Sequence, residues 1–354
     1  MLVDDSAIIR GAIARILKED PVIHIIDSVS NGQLGVDAAK KHQPHVVILD
    51  VEMPIMDGIT ALPKILEVSP QSKVIMFSTL TEKGAAISIK ALSLGAVECM
   101  PKPSSTQVEG GTANFQDRIL NLVKSLVPES KRVATGTAAG APAPSPAPKA
   151  PASFSLRKDP MAYTGKPALV AIGSSTGGPQ ALFNVLKHFS GFDVPIILTQ
   201  HMPATFTKIL AEHIHQQTGL TSTEGGEGMR LEKGKVHVAP GGYHMLLKRD
   251  GVDTVITLND GPAENFCKPA VDPMFRSAID IYGKRVLGLI LTGMGHDGLG
   301  GGKALVEASG RLIAQDEKTS VVWGMPGAVA MAGICSEVLP LDDIGPWVRK
   351  AVLG

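Results

Sequence analysis

The run "HVVILDV" (His45–Val51), helical periodicity over Gly58–Glu67 and then "KVIMFST" (Lys73–Thr79) decide the fold. Strands so continuously apolar have no face to give to water, and a helix joining two of them makes a parallel crossover. A parallel sheet covered on both faces is therefore predicted. The alternation continues outward in both directions. Before it come "MLV" (Met1–Val3), Ser6–Lys18, "HIIDSV" (His24–Val29) and Gly32–Lys41; after it come Lys83–Leu94, "AVECM" (Ala96–Met100) and Asn114–Leu126.

At 128–160 the text changes to "PESKRVATGTAAGAPAPSPAPKAPASFSLRKDP", which has almost nothing large to bury and interrupts ladder and helix hydrogen bonding repeatedly. A semi-rigid linker is expected there, between a domain at 1–127 and another at 161–354. Beyond it the strand–helix alternation returns, from "ALVAIG" (Ala168–Gly173) and "PIILTQ" (Pro195–Gln200) to "VLGLILTG" (Val286–Gly293) and "RLIAQD" (Arg311–Asp316). "YHMLLKRDGVDTVITL" reads as an antiparallel hairpin set into that second α/β domain.

A chain of 354 residues is long enough for two cores. Lys+Arg 34 balances Asp+Glu 34, so the positive field of a nucleic-acid binder is missing and proteins or small molecules are the expected partners. The start lacks signal-peptide character and no apolar run is long enough to span a bilayer, so a cytoplasmic protein without membrane insertion is expected. Cys99, Cys267 and Cys335 are too scattered for a disulfide framework or zinc site and read as packed thiols.

Ligands of open parallel sheets collect at the carboxyl ends of strands. Asp4 and Asp5 follow the first strand, Asp50 ends "HVVILD", Ser78 and Thr79 end "VIMFST", and Lys102 follows "AVECM". Any one such Asp is ordinarily a turn or cap residue. Several strand ends agreeing point instead to a hard dication such as Mg²⁺ among carboxylates, with a hydroxyl and a lysine for a phosphoryl group. Only three residues precede Asp4, fewer than a central strand ordinarily has, and a truncated or misassigned start is the expectation.

In the second domain "AIGSSTGGPQ" (Ala171–Gln180) lacks the lysine of a Walker loop but fits G-x-S-x-G, between a buried strand and a helix, with Ser175 lifted on the turn. A serine nucleophile needs a base and an acid. His201 follows the next strand in "QHMP", and Asp297 follows "VLGLILTG" in "MGHDGLGGG". His296 is the rival base, disfavoured because it shares a loop with Asp297. Taken singly, Ser175 reads equally as a helix cap, His201 as a structural histidine and Asp297 as a cap or turn residue, and Ser174 is expected to tolerate alanine.

Through "VDDS", "DVEMPIMDG", "FST" and "PKP" the first domain resembles the receivers of two-component response regulators. Through "GSSTGGP", "QHMP", "VAPGGYHM", "KPAVDPMF" and "LTGMGHDG", nearly all of Pro167–Leu353 is similar to the chemotaxis protein-glutamate methylesterases. The resemblance implies a flavodoxin-like receiver and a Rossmann-like catalytic domain. It implies that Asp50 takes a phosphoryl group from a histidine kinase, with Mg²⁺ held by Asp4, Asp5 and Asp50, and Ser78 and Lys102 on the phosphoryl oxygens. It further implies that Ser175 attacks glutamate methyl esters on chemoreceptors, His201 serves as base and then acid, Asp297 orients it, and the backbone amides of Thr176 and Met294 receive the oxyanion. Deamidation of receptor glutamines, no cofactor for the esterase, and restraint by the unphosphorylated receiver complete what it implies. The rival reading is a response regulator whose second domain only binds.

Overall fold

Buried runs of Val, Ile and Leu form the central strands of both sheets. In this computed structural model the described residues are 1–78, 81–102, 113–127, 154–157, 163 and 165–354, and they fall into two units, Met1–Ala152 and Ser153–Gly354.

The first unit carries β1 (Leu2–Val3), β2 (Ser28–Val29), β3 (Val46–Asp50), β4 (Lys73–Ser78) and β5 (Glu98–Pro101), all parallel in the order β2-β1-β3-β4-β5. Helices Ala7–Lys18, Gly32–His42, Gly58–Val68, Glu82–Ser93 and Ala113–Ser125 alternate with the strands. The first four start where a short polar side chain accepts an orphan backbone N–H: Ser6, Asn31, Asp57 and Thr81. β2 is shorter than "HIIDSV" predicts. Its partner β1 has only two residues, and the pairing ends where Asp27 O accepts the Leu2 N–H at 3.0 Å; Ile23, Ile25 and Ile26 instead line a cavity of about 480 Å³ with Met1, Leu17 and Val46. The Met1 ammonium lies at the same end, donating to Val46 O at 2.9 Å, and burial pushes its pKa down to about 6.

The second unit holds β6 (Leu169–Ser174), β7 (Ile196–Gln200), β8 (Ser222–Glu224), β9 (Val236–Val238), β10 (His244–Asp250), β11 (Asp253–Asn259), β12 (Val286–Ile290), β13 (Arg311–Gln315) and β14 (Glu337–Leu339). Seven of them make a parallel sheet in the order β14-β13-β12-β6-β7-β9-β8, while β10 and β11 form the expected antiparallel hairpin. The hairpin buries Met245, Leu247 and Ile256 in the core beneath Met274, Phe275 and Ala278 of helix Val271–Tyr282. Strands β8 and β14 and helices Met325–Met331 and Leu341–Leu353 go beyond the sequence reading. Pro326 falls in the first turn of its helix, where proline is well tolerated, and in Leu341–Leu353 burial of Ile344, Val348 and Val352 outweighs the interior Pro346.

The expected linker and Thr79 lie outside the described residues except at 154–157. That short stretch is docked on the second unit. Phe154 packs near Trp323, with ring centroids 6.2 Å apart, and Arg157 donates from its backbone to Cys335 O and from its guanidinium to Val306 O and Gly310 O. Among the described residues, no helix is long and apolar enough to cross a membrane.

Candidate functional site

Strand register assembles both sites. Val3 pairs with Leu49 and Asp50 with Phe77, so Asp4, Asp50 and Ser78 leave the carboxyl edge on neighbouring strands about 4.8 Å apart. Ligand oxygens of Asp4, Asp5 and Asp50 lie within 4.8 Å of one another. Lys102 Nζ donates to Asp50 Oδ2 at 2.6 Å and stands 3.5 Å from Asp4 Oδ2. Ser78 Oγ donates to Gly84 O at 3.1 Å.

Burial raises Asp50 to about 6, against the lowering pull of Lys102 and with a further push from Asp4. Burial also raises Asp4, whose buried Oδ2 finds no hydrogen-bond partner among the described residues while Oδ1 accepts the N–H of Ser6. Crowded carboxylates that one lysine does not neutralise, with an oxygen left over, fit a hard dication with oxygen ligands.

In the second unit Ser174 pairs with Gln200, so Ser175 and His201 emerge side by side from β6 and β7, and His201 N donates to Ser174 O at 3.2 Å. Ser175 sits on a turn between β6 and helix Gly178–Leu186, and its N–H donates to Thr292 O, tying the turn to the loop after β12. Gly177 has φ 76°, the left-handed region that glycine enters without penalty. A Cβ on Gly178 would stand 2.0 Å from Gln200 Oε1. Gln200 in turn accepts from Ser174 Oγ at 2.7 Å and donates to Ser175 O at 2.8 Å. Ser174 is thus a buried brace of the turn.

His201 Nε2 meets Asp297 Oδ2 at 2.8 Å. Asp297 Oδ2 also accepts the Val271 N–H at 2.6 Å, and Oδ1 accepts from Asn265 Nδ2 and from the Asp272 and Gly298 N–H groups. The first N–H groups of helix Val271–Tyr282 have no carbonyl of their own and no cap from Ala270; Asp297 satisfies two of them. Asp272 reciprocates, its Oδ1 accepting from Gly298 and Gly301 at the start of helix Leu299–Glu307. Burial alone would raise Asp297, but the bond to His201 and the others hold it below the ordinary carboxylate range. Burial alone would lower His201, yet Asp297 and then Cys267 outweigh it and lift the imidazole to about 9.

Ser175, His201 and Asp297 therefore stand on three adjoining strand ends, with Thr176 in the Ser175 turn and Met294 in the loop tied to it. His296 is exposed. Sequence reasoning missed Gln200, Asn265, Asp272 and Cys267. Only Asp272 carried a signal, an acid in the first turn of a helix; Cys267, read as a packed thiol, is half-buried with Sγ 3.4 Å from His201 Nδ1.

Residues 1–108 match the response regulator receiver domain and residues 170–348 match the CheB methylesterase domain. A protein-glutamate methylesterase/protein-glutamine glutaminase of Azospirillum brasilense is 51% identical, over 99% of this chain and 91% of its own. One of Rhodospirillum centenum, assigned to a group 2 operon, is 49% identical over 99% and 93%. The solved CheB methylesterase catalytic domain of Thermotoga maritima is 37% identical with a TM-score of 0.51, covering 53% of this chain and 99% of that one. With a receiver fold ahead of a methylesterase fold and full-length relatives at this identity, the chain belongs to the CheB methylesterase family.

Proposed function

We propose that the chain hydrolyses glutamate methyl esters on chemoreceptors, and deamidates receptor glutamines, through Ser175, His201 and Asp297. The observation that carries this reading is the His201–Asp297 hydrogen bond at 2.8 Å beside the Ser175 turn. With Nε2 committed to Asp297, Nδ1 is the nitrogen that takes the Ser175 proton as Oγ attacks the ester carbonyl. The backbone amides of Thr176 and Met294 are the proposed oxyanion donors. His201 then returns the proton to the methoxy oxygen, and methanol leaves an acyl-serine. Water attacks that ester, giving a proton to His201, which passes it to Ser175 Oγ as the acyl bond breaks; serine and neutral imidazole are restored and the glutamate leaves, ionising to its carboxylate. From glutamine, ammonia leaves instead of methanol. Asp297 stabilises the imidazolium at each step without taking its proton.

In the first domain, proposed at 1–127, Asp50 is the phosphoacceptor for a histidine kinase. Asp4, Asp5 and Asp50 would hold Mg²⁺, which when bound neutralises charge on the phosphoryl oxygens. Lys102 and Ser78 take those oxygens, Lys102 turning from a carboxylate it already reaches. A tether around 128–160 leads to the catalytic domain at 161–354, and phosphorylation relieves the receiver's restraint. In this reading the protein works in the cytoplasm, taking its phosphoryl group from the kinase and hydrolysing esters on the receptor.

The test is methanol release from a methylated chemoreceptor. Ser175→Ala removes the attacking oxygen and lowers release by roughly 10⁴-fold or more with the fold intact. A Ser175→Ala variant of near-normal rate defeats the assignment, and with it the choice of a hydrolase over a binding module.

A further inference from the structure

Beside the base stands a thiol that the triad leaves unused. Cys267 Sγ lies 3.4 Å from His201 Nδ1, the nitrogen left over once Nε2 is on Asp297. Cys99 and Cys335 are buried elsewhere, whereas Cys267 is partly open to solvent.

The turn that presents it is closely specified. Glu264 and Cys267 exchange two backbone hydrogen bonds, at 3.1 and 2.8 Å, and Arg276 grips both carboxylate oxygens of Glu264. Asn265 and Phe266 between them have φ 52° and 63°, a region unfavourable to residues with a Cβ. Phe266 gains no burial in compensation, being 98% exposed. What the strained turn achieves is reach: Asn265 donates to Asp297 Oδ1 at 2.8 Å, while Cys267 meets the far side of the imidazole. One turn thus holds both members of the His–Asp pair.

Resting on the triad reading above, we infer that Cys267 is a positioning residue of the esterase: its thiol steadies the His201 ring through Nδ1 and yields that nitrogen to the Ser175 hydroxyl when substrate arrives. A thiol suits this part because it is a weak partner in either sense, its S–H donating to the neutral ring and its sulfur accepting from the imidazolium N–H, enough to select a ring orientation and easily displaced by a better partner. In the resting structure Ser175 Oγ has no hydrogen-bond partner among the described residues, so Nδ1 is with the thiol and not yet with the nucleophile. The titratable groups bearing on the ring are Asp297 from the loop after β12 and Cys267 from the turn; Asp272, at the start of helix Val271–Tyr282, stands behind Asn265.

Full-length wild type, Cys267→Ala, Cys267→Ser, Ser175→Ala and His201→Gln are compared by steady-state methanol release from methylated receptor across the pH range, with thermal unfolding as a control. Cys267→Ala lowers kcat on the alkaline plateau about threefold to tenfold with KM little changed. Cys267→Ser keeps a donor and recovers most of that loss. In both variants the acid limb moves to lower pH, because Cys267 helps Asp297 hold the imidazolium up. A folded Cys267→Ala variant with wild-type plateau and limb overturns the inference; if that variant does not fold, a Cys267→Ser limb superimposed on wild type does so. Activity surviving Ser175→Ala or His201→Gln instead overturns the triad reading, whatever Cys267 does.

Discussion

Asp297, in the loop after β12, and Asp50, the last residue of β3, lie at the carboxyl edges of the two sheets and are equally sealed from water, at 2% and 1% exposure, yet their acidities move in opposite directions. Asp297 accepts hydrogen bonds from His201, Asn265 and three backbone N–H groups. Asp50 has Lys102 at 2.6 Å, a long bond from Glu52 N at 3.3 Å, and the neighbouring carboxylate of Asp4 pushing against it. Depth of burial therefore does not decide the state of a carboxylate; the donors aimed at it do. In the second unit the charge is fully answered by protein, which suits the proposed task of holding a base. In the receiver it is left in excess, which suits a site that gains a cation and then a phosphoryl group.

The sharpest way to break this comparison is to neutralise each aspartate in turn. Asp297→Asn lowers kcat for methanol release about 10⁴-fold, because an amide presents the imidazole with the wrong partner. It also lowers the melting temperature of the second unit, at a cost of about 3 to 5 kcal/mol for the unpaired donors and imidazolium. Asp50→Asn does the reverse in cation-free buffer at neutral pH, raising the melting temperature of the first unit by relieving about 1 to 2 kcal/mol of carboxylate crowding. Calorimetry showing both substitutions moving stability in the same direction ends the distinction.

The pH dependence sharpens the catalytic side. The reaction needs neutral His201, so kcat/KM rises about tenfold per pH unit below the limb and levels off above about 9. Stability runs the other way: with a folded pKa raised above the ordinary 6.5, the His201–Asp297 pair contributes fully below about 6.5 and is lost as pH rises through about 9. A rate already level at neutral pH would mean that Asp297 is a weaker partner than its geometry indicates.

Magnesium tests the receiver side at a slightly smaller scale. At a hundredfold excess over its dissociation constant, Mg²⁺ stabilises the first unit by about 2.7 kcal/mol and leaves the second unchanged, and Asp4→Asn or Asp50→Asn removes most of the gain. Equal stabilisation of both units would mark a general salt effect. Smallest is Ser174→Ala. It strips Gln200 Oε1 of its donor and loosens the grip on Ser175 O, costing about 1 kcal/mol and roughly fivefold in methanol release. An unchanged rate would show that the turn is held by Gly177 and Gly178 alone.

Much of the architecture was legible because it is written locally. Periodicity places β3, β4, β6 and β12, and once those strands are parallel their carboxyl ends share one edge, which brings Asp4 beside Asp50 and Ser175 beside His201. Where local signal was weak, packing had the last word: "HIIDSV" has the composition of a six-residue strand but pairs only at Ser28 and Val29, and Leu341–Leu353 is a helix despite Pro346.

The sequence by itself determined the two α/β folds, the family, and the residues at the strand ends, because alternation of apolar runs and turn-forming glycines is a property of neighbouring residues. Only the tertiary structure decided which groups answer those residues. Cys267 reaches His201 across 66 positions of chain and His201 reaches Asp297 across 96. No periodicity relates such positions; their meeting depends on how the Asn265–Phe266 turn and two helix N-termini pack over the edge of the sheet. That same packing sets the charge of each carboxylate, since the number of donors pointing at Asp297 or Asp50 comes from groups that the sequence does not place side by side.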